Sequence, residues 1–213
     1  MKDIKYKVVL ADDHQIICEG LVSLLKAAPY IEVIGFASNG KEVLDLLKIK
    51  PTDMVIMDIN MPIMDGIKAT EQIKIQFPDV KVLILSMHNQ IGYINNAVMA
   101  GADGYLMKNA ESAEFLTAID KILHGESYFC LEVANKMVNK IQQSVDFGDF
   151  FLSDKEKIIL PLLGEGCTTN EIANRINSSK HTVDTYRRNL LHKFNAKNVS
   201  ELIKIATKEG YIS

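Results

Sequence analysis

Five short apolar runs, each followed by a stretch of helical periodicity, fill the first 125 residues, and this alternation constrains the fold more than any other feature. The runs are Lys7–Ala11, Ile31–Ala37, Met54–Met57, Val80–Leu85 and Gly104–Met107; the helix-period stretches are His14–Lys26, Gly40–Lys48, Asp65–Gln76, Gln90–Met99 and Ser112–His124. Strand–helix units in succession predict a parallel sheet, because parallel neighbours need a crossover long enough to hold a helix. The runs are almost unbroken in Val, Ile, Leu and Met, as strands buried on both faces must be. After Gly125 the pattern changes. Leu131–Gln143 can form a helix, "SVDFGDF" then breaks the periodicity, and only helical patterns follow from Phe150. The expected organisation is an α/β domain over 1–125, a linker with one helix over 126–149, and an all-α domain of four short helices over 150–213.

Composition narrows the class. Hydrophobic residues make up 47% and charged residues 24% of the 213, an ordinary balance for a globular protein. No apolar run approaches the roughly 18 residues needed to span a membrane, and "MKDIKYKVVLADD" lacks the marks of a signal peptide. Cys18, Cys130 and Cys167 are odd in number, widely spaced and without a C-x-x-C, which argues for reduced thiols in a cytoplasm. The net charge of −3 hides an asymmetry: residues 1–125 sum to −4 without one arginine, whereas 150–213 sum to +3 and hold all three. The two halves are therefore expected to meet different partners.

In an open parallel sheet, ligands bind beyond the carboxyl ends of the strands. Strand one runs into Asp12 and Asp13, strand three into Asp58, strand four into Ser86 and strand five into Lys108; strand two ends in the uncharged Ala37 and Ser38. With the strand order 2-1-3-4-5, the four strands with reactive termini are contiguous. Three gathered carboxylates repel one another unless a cation sits among them. Magnesium suits such a set, since it takes oxygen ligands and shares its sphere with phosphate. Asp58 can then act as a nucleophile that accepts a phosphoryl group, with Lys108 and the metal neutralising charge and Ser86 donating a hydrogen bond.

"ADDH", "MDINMPIMDG", "LSMH" and "GYLMK" together resemble the receiver domain of two-component response regulators over about residues 4–123. The resemblance implies a flavodoxin-like sheet, with Asp58 as phosphoacceptor charged by a histidine kinase. It implies Asp12 and Asp13 as magnesium-binding acids, the Asn60 backbone carbonyl as a further ligand, and Lys108 as a phosphate contact. Ser86 and Tyr105 match the switch pair, and Pro62 and Gly66 the turn after the acceptor. His14 reads as a helix-start or surface residue, and His88 has no assigned role.

In the C-terminal piece, Thr168 and Glu171 fit a capping box before "NEIANRI", and Ser179 fits the cap of "KHTVDTYRRNLLHKF". The second helix places Val183, Leu190, Leu191 and Phe194 on one face and Lys180, His181, Asp184, Thr185, Arg187 and Arg188 largely on the rest; these six, with Thr182 and Lys193, are the expected DNA contacts. Two such helices and a tight turn fit a helix-turn-helix that enters the major groove of double-stranded DNA; a small bundle with a solvated charged face produces much the same pattern. The stretch from "LSDKEKIILPLLGEG" onward resembles the LuxR/NarL-type DNA-binding domain. That implies a transcription regulator and a homodimer through the last helix, Val199–Glu209, with its stripe of Leu202, Ile203 and Ala206. Three residues depart from the family. Asp184 replaces a basic residue and can accept from a cytosine amino group, Ser178 replaces an apolar residue, and Pro161 stands inside a helix. Two rival readings stay open: an adaptor whose bundle binds protein, and an aspartyl-phosphate phosphatase. Asn60 stands where such phosphatases carry a general acid, so the chain is expected to show only slow self-phosphorylation and autodephosphorylation at Asp58.

Overall fold

The computed structural model describes residues 5–143 and 152–212. The last six residues of the expected linker, 144–149, together with Phe150 and Phe151, lie outside the described residues. The chain divides into two compact units, one of residues 1–89 and 96–134, the other of 90–95 and 135–213.

The first unit is a parallel sheet in the order β2-β1-β3-β4-β5-β6. Its strands are β1 (Tyr6–Ala11), β2 (Ile31–Ala37), β3 (Met54–Met57), β4 (Lys81–Ser86), β5 (Gly104–Met107) and β6 (Tyr128–Phe129), interleaved with α1 (Gln15–Leu25), α2 (Gly40–Ile49), α3 (Gly66–Gln76), α4 (Ile91–Met99), whose first turn is counted with the second unit, and α5 (Ser112–Leu123). Every residue of β3 and β5 is buried. Successive strand residues face opposite ways, so both faces of the sheet are covered, as the apolar runs predict. The first five strands have the expected order, and the element ends fall within two residues of the expected ones. The sixth strand is a correction: it lies in the stretch read as linker, and pairs with β5 through Gly104↔Tyr128 and Tyr105↔Phe129. Two residues are too few to show a period. The helix over Leu131–Gln143, α6, forms as expected.

Register carries the chemistry to one edge. Ala11 is level with Met57 across β1 and β3, so Asp12 and Asp58 leave the sheet side by side. Ser86 is level with Met107 across β4 and β5, and Lys108 follows; its backbone N–H donates to the Ser86 carbonyl at 2.9 Å.

The second unit's helical domain comprises α7 (Asp154–Gly164), α8 (Thr169–Arg175), α9 (Lys180–Lys193) and α10 (Val199–Lys208). Each helix is bounded at both ends by its own sequence. Ser153, Thr168, Ser179 and Asn198 cap the amino ends through their side chains. Gly166, Asn177, Asn195 and Gly210 take positive φ just past the carboxyl ends, where residues such as Cys167, Ser178, Ala196 and Tyr211 donate back to carbonyls five residues earlier. Ser178 thus contributes through its backbone N–H, 2.9 Å from the Ala173 carbonyl. The core is built from Ile159, Leu160, Ile172, Val183, Leu190, Phe194, Leu202 and Ala206, with Leu191 and Ile203 partly buried against it.

That core corrects one expectation. Leu202 and Ala206, two members of the stripe assigned to dimerisation, are fully buried inside their own domain. An apolar period marks a buried face without saying what covers it.

Pro161 sits inside α7 with no break in the helix, and nothing in the structure compensates for its missing N–H. Replacing Pro161 with alanine is expected to stabilise the helical domain by about 1–3 kcal/mol. An unchanged or lowered urea midpoint for that domain would contradict this.

Candidate functional site at the sheet edge and the recognition helix

The strand ends bring Asp12, Asp58, Ser86 and Lys108 together. Asp12, Asp58 and Ser86 are buried. The Lys108 ammonium lies 2.6 Å from Asp12 Oδ2 and 3.1 Å from Asp58 Oδ1, so one cation ties two strands' carboxylates. Burial is the largest influence on Asp58 and pushes its carboxyl pKa up; Lys108 pulls it back, Asp12 pushes it up again, and the net direction is upward. For Lys108, burial pulls the ammonium down, but Asp12 and Asp58 outweigh it and the net direction is also upward. Asp13 is more open, and His14 Nδ1 stands 2.9 Å from its Oδ1 and 3.2 Å from Asp12 Oδ1.

Three carboxylates against one ammonium leave the pocket negative. Asp12, Asp13 and His14 each offer a ligand-type atom, all within 4.8 Å of one another. The oxygen donors fit a hard divalent cation; the imidazole does not belong to such a set. Here His14 is a hydrogen-bonding neighbour at the start of α1.

The loop after Asp58 is tightly drawn. Gly66 N–H donates to the Ile59 carbonyl at 2.8 Å, and a Cβ on Gly66 would fall 1.9 Å from the Asp58 carbonyl oxygen, so no side chain fits. Ile63 takes φ 66° and is 84% exposed, a strained conformation for a β-branched residue. Asp65 caps α3 by accepting from the Lys68 N–H at 2.8 Å.

Ser86 and Tyr105 meet at His88. The Ser86 hydroxyl accepts from the His88 N–H at 3.1 Å, and the Tyr105 hydroxyl, with its ring fully buried, donates to the His88 carbonyl at 2.6 Å. The His88 ring reaches the Asn60 side-chain amide, Nε2 to Nδ2 2.6 Å. Its place two residues past Ser86 puts it near the site, but its role is not legible in the sequence, because no spacing rule marks a backbone held by two side chains. Cys18, a free and buried thiol, also lies close by. Its thiol lies 3.8 Å from the Asp12 carbonyl and is pushed up in pKa by burial first and Asp12 second.

On α9 the predicted residues separate into two groups. Lys180, His181, Asp184 and Arg188 are exposed. Thr182 is drawn into the helix cap, its Oγ1 2.8 Å from Ser179 Oγ. Thr185 donates back to the His181 carbonyl at 3.0 Å and accepts from Arg188 at 3.3 Å. Arg187 donates to Thr169 Oγ1 of α8 at 2.7 Å. Lys193 is placed elsewhere: its ammonium is 2.9 Å from the buried Glu156 carboxylate, with the side chain only 13% exposed. It locks α9 to the cap of α7.

Residues 8–120 match the model of the response regulator receiver domain, and residues 151–206 match the luxR family of bacterial regulatory proteins. The chain belongs to the response regulator family. The regulator is 33% identical over 209 residues to the transcriptional regulatory protein MctR of Rhizobium johnstonii, covering 98% of this chain and 96% of the relative. It is 32% identical over 211 residues to the oxygen regulatory protein NreC of Staphylococcus carnosus, covering 95% and 97%. Among solved structures it resembles RcsB from Salmonella enterica serovar Typhimurium bound to promoter P1flhDC in the presence of the phosphomimetic BeF3-. That likeness has a TM-score of 0.69 at 25% identity, over 94% of this chain and 97% of that one. Its two domains make the regulator a receiver joined to a DNA-binding helix-turn-helix of transcription regulation, not an enzyme of ordinary turnover. No helix among the described residues is long and apolar enough to cross a membrane.

The raised pKa of Asp58 has a sign that can be tested. A carboxyl with a higher pKa in the folded than in the unfolded chain costs stability as pH rises through that range. Asp58→Asn is therefore expected to leave stability unchanged at about pH 4 and to raise it increasingly toward pH 7, as read from urea unfolding of the receiver. A gain that shrinks toward neutrality would contradict the assignment.

Proposed function

We propose that Asp58 accepts a phosphoryl group from a partner histidine kinase, and that the modified regulator dimerises and binds double-stranded DNA through α9. The observation that carries this reading is the buried Asp12–Lys108–Asp58 arrangement at the ends of three strands, with Ser86 beside it.

An Asp58 oxygen attacks phosphorus, the bond from phosphorus to the donor's imidazole nitrogen breaks, and its electron pair stays on that nitrogen. The product is an acyl phosphate on Asp58. Magnesium, held by Asp12, Asp13, Asp58 and the Asn60 backbone carbonyl, would neutralise charge gathering on the phosphoryl oxygens. Lys108, already 3.1 Å from Asp58 Oδ1, follows onto those oxygens. Ser86 accepts from His88 and keeps its own proton to donate. Because Tyr105 holds the same residue's carbonyl, drawing Ser86 toward the phosphoryl group also moves the backbone at His88. Asn60, two residues after Asp58, supplies no general acid, so hydrolysis is slow. Lys180 and Arg188 approach phosphates and base edges, and the cytoplasm is the compartment where these partners meet.

Two measurements test this. With acetyl phosphate and magnesium, the wild type is expected to gain one acid-labile phosphate, whereas Asp58→Asn or added EDTA abolishes the gain. Labelling that survives in Asp58→Asn sinks the assignment, and steady turnover of a generic phosphate ester favours a phosphatase. In gel shifts, Arg187→Ala/Arg188→Ala is expected to weaken DNA binding roughly ten- to a hundredfold and make the salt slope shallower. No salt-sensitive DNA binding in either phosphorylation state would favour the protein-binding adaptor.

A further inference from the structure

Asp184 is an acid on the exposed side of a helix proposed to lie against a polyanion, and its surroundings say what it is for. Its side chain is 55% exposed. Thr169 Oγ1, the first residue of α8, lies 3.4 Å from Asp184 Oδ1. The same hydroxyl accepts from Arg187 Nη1 at 2.7 Å, and that nitrogen stands 3.6 Å from Asp184 Oδ1. One carboxylate oxygen is thus held against α8, and among the described residues none bonds to Oδ2.

Counting 100° per residue, Val183 and Leu190 point into the core, whereas His181 and Arg188 fall on the opposite side and the exposed Asp184 on the flank next to them. Asp184 is the fifth residue of α9, in the part of a recognition helix that meets base edges. A carboxylate offers acceptors only. In the major groove guanine and thymine present acceptors at the corresponding positions and repel it. Adenine presents an amino group with the N7 acceptor beside it. Cytosine presents its N4 amino group without a neighbouring acceptor. Arg187, held close by Thr169, offsets part of the repulsion a carboxylate would meet from the phosphates.

We infer that Asp184 is a specificity-determining residue that selects cytosine at one position of each DNA half-site, fixed in aim by Thr169 and Arg187. The inference rests on the DNA-binding role proposed above. Arg188, one turn further along the same side, is placed to read a guanine next to that cytosine.

The experiment is selection from a randomised double-stranded library by the full chain, treated with acetyl phosphate and magnesium. Wild type, Asp184→Asn and Asp184→Ala are compared, with circular dichroism confirming each fold. Both substitutions remove the same charge, so sequence-independent affinity rises equally in the two. Their preferences should differ: cytosine for the wild type, a shift to adenine for Asp184→Asn, whose amide pairs with adenine N6 and N7, and no preference for Asp184→Ala. The discrimination lost in the alanine variant is expected to be about tenfold. An identical preference in all three proteins, or guanine or thymine at that position in the wild type, overturns the inference while leaving DNA binding intact. Selection of no DNA by the wild type removes the DNA-binding role itself, and the inference with it.

Discussion

The rest of the receiver is arranged around one ammonium. Lys108 lies between Asp12 and Asp58, and both carboxylates are buried where their charges would otherwise be unsupported. That single ion fixes the relation of β1, β3 and β5 at the edge where chemistry can occur. It also leaves the balance incomplete: with Asp13 nearby, the site stays negative. A site short of positive charge suits a divalent cation among its oxygens better than it suits itself. Asp58, pushed up in pKa by burial, lies where that shortfall is felt.

The helical domain follows another rule. Its core is small, so its helices depend on well-defined ends. Side-chain caps begin all four, and residues at positive φ close them. The ion pair of Lys193 with Glu156 ties the recognition helix to the first of these caps. A lysine expected to contact DNA is instead paired within the frame of its own domain. The exposed charges that remain, Lys180, Asp184 and Arg188, are fewer and mixed in sign.

Much of this was legible along the chain. Five apolar runs and the reactive residues that end them specify both the sheet and the site, because strand order and register turn positions in sequence into neighbours in space. The capping boxes at Ser153 and Thr168 obey local rules that need no partner. Other features had no local signature. Strand β6 is two residues long and exists only because β5 offers it an edge. His88 matters through its backbone, whose bonds come from Ser86 and Tyr105. The apolar stripe of α10 is periodic whether it meets another molecule or, as Leu202 and Ala206 do, its own core.

The sequence by itself determined the order of strands and helices, the chemical identity of the acidic site, and the places where helices start and stop. Each depends on the pattern of residues close together in the chain. Only the tertiary structure decided which charges face solvent and which are spent on one another. It set Lys108 against two carboxylates, retired Lys193 into an ion pair, and brought Asp184 to within 3.4 Å of Thr169, fifteen residues earlier. The physical reason is that a side chain's role depends on what lies within about 4 Å of it, and that distance is set by packing between elements rather than by the sequence of any one of them.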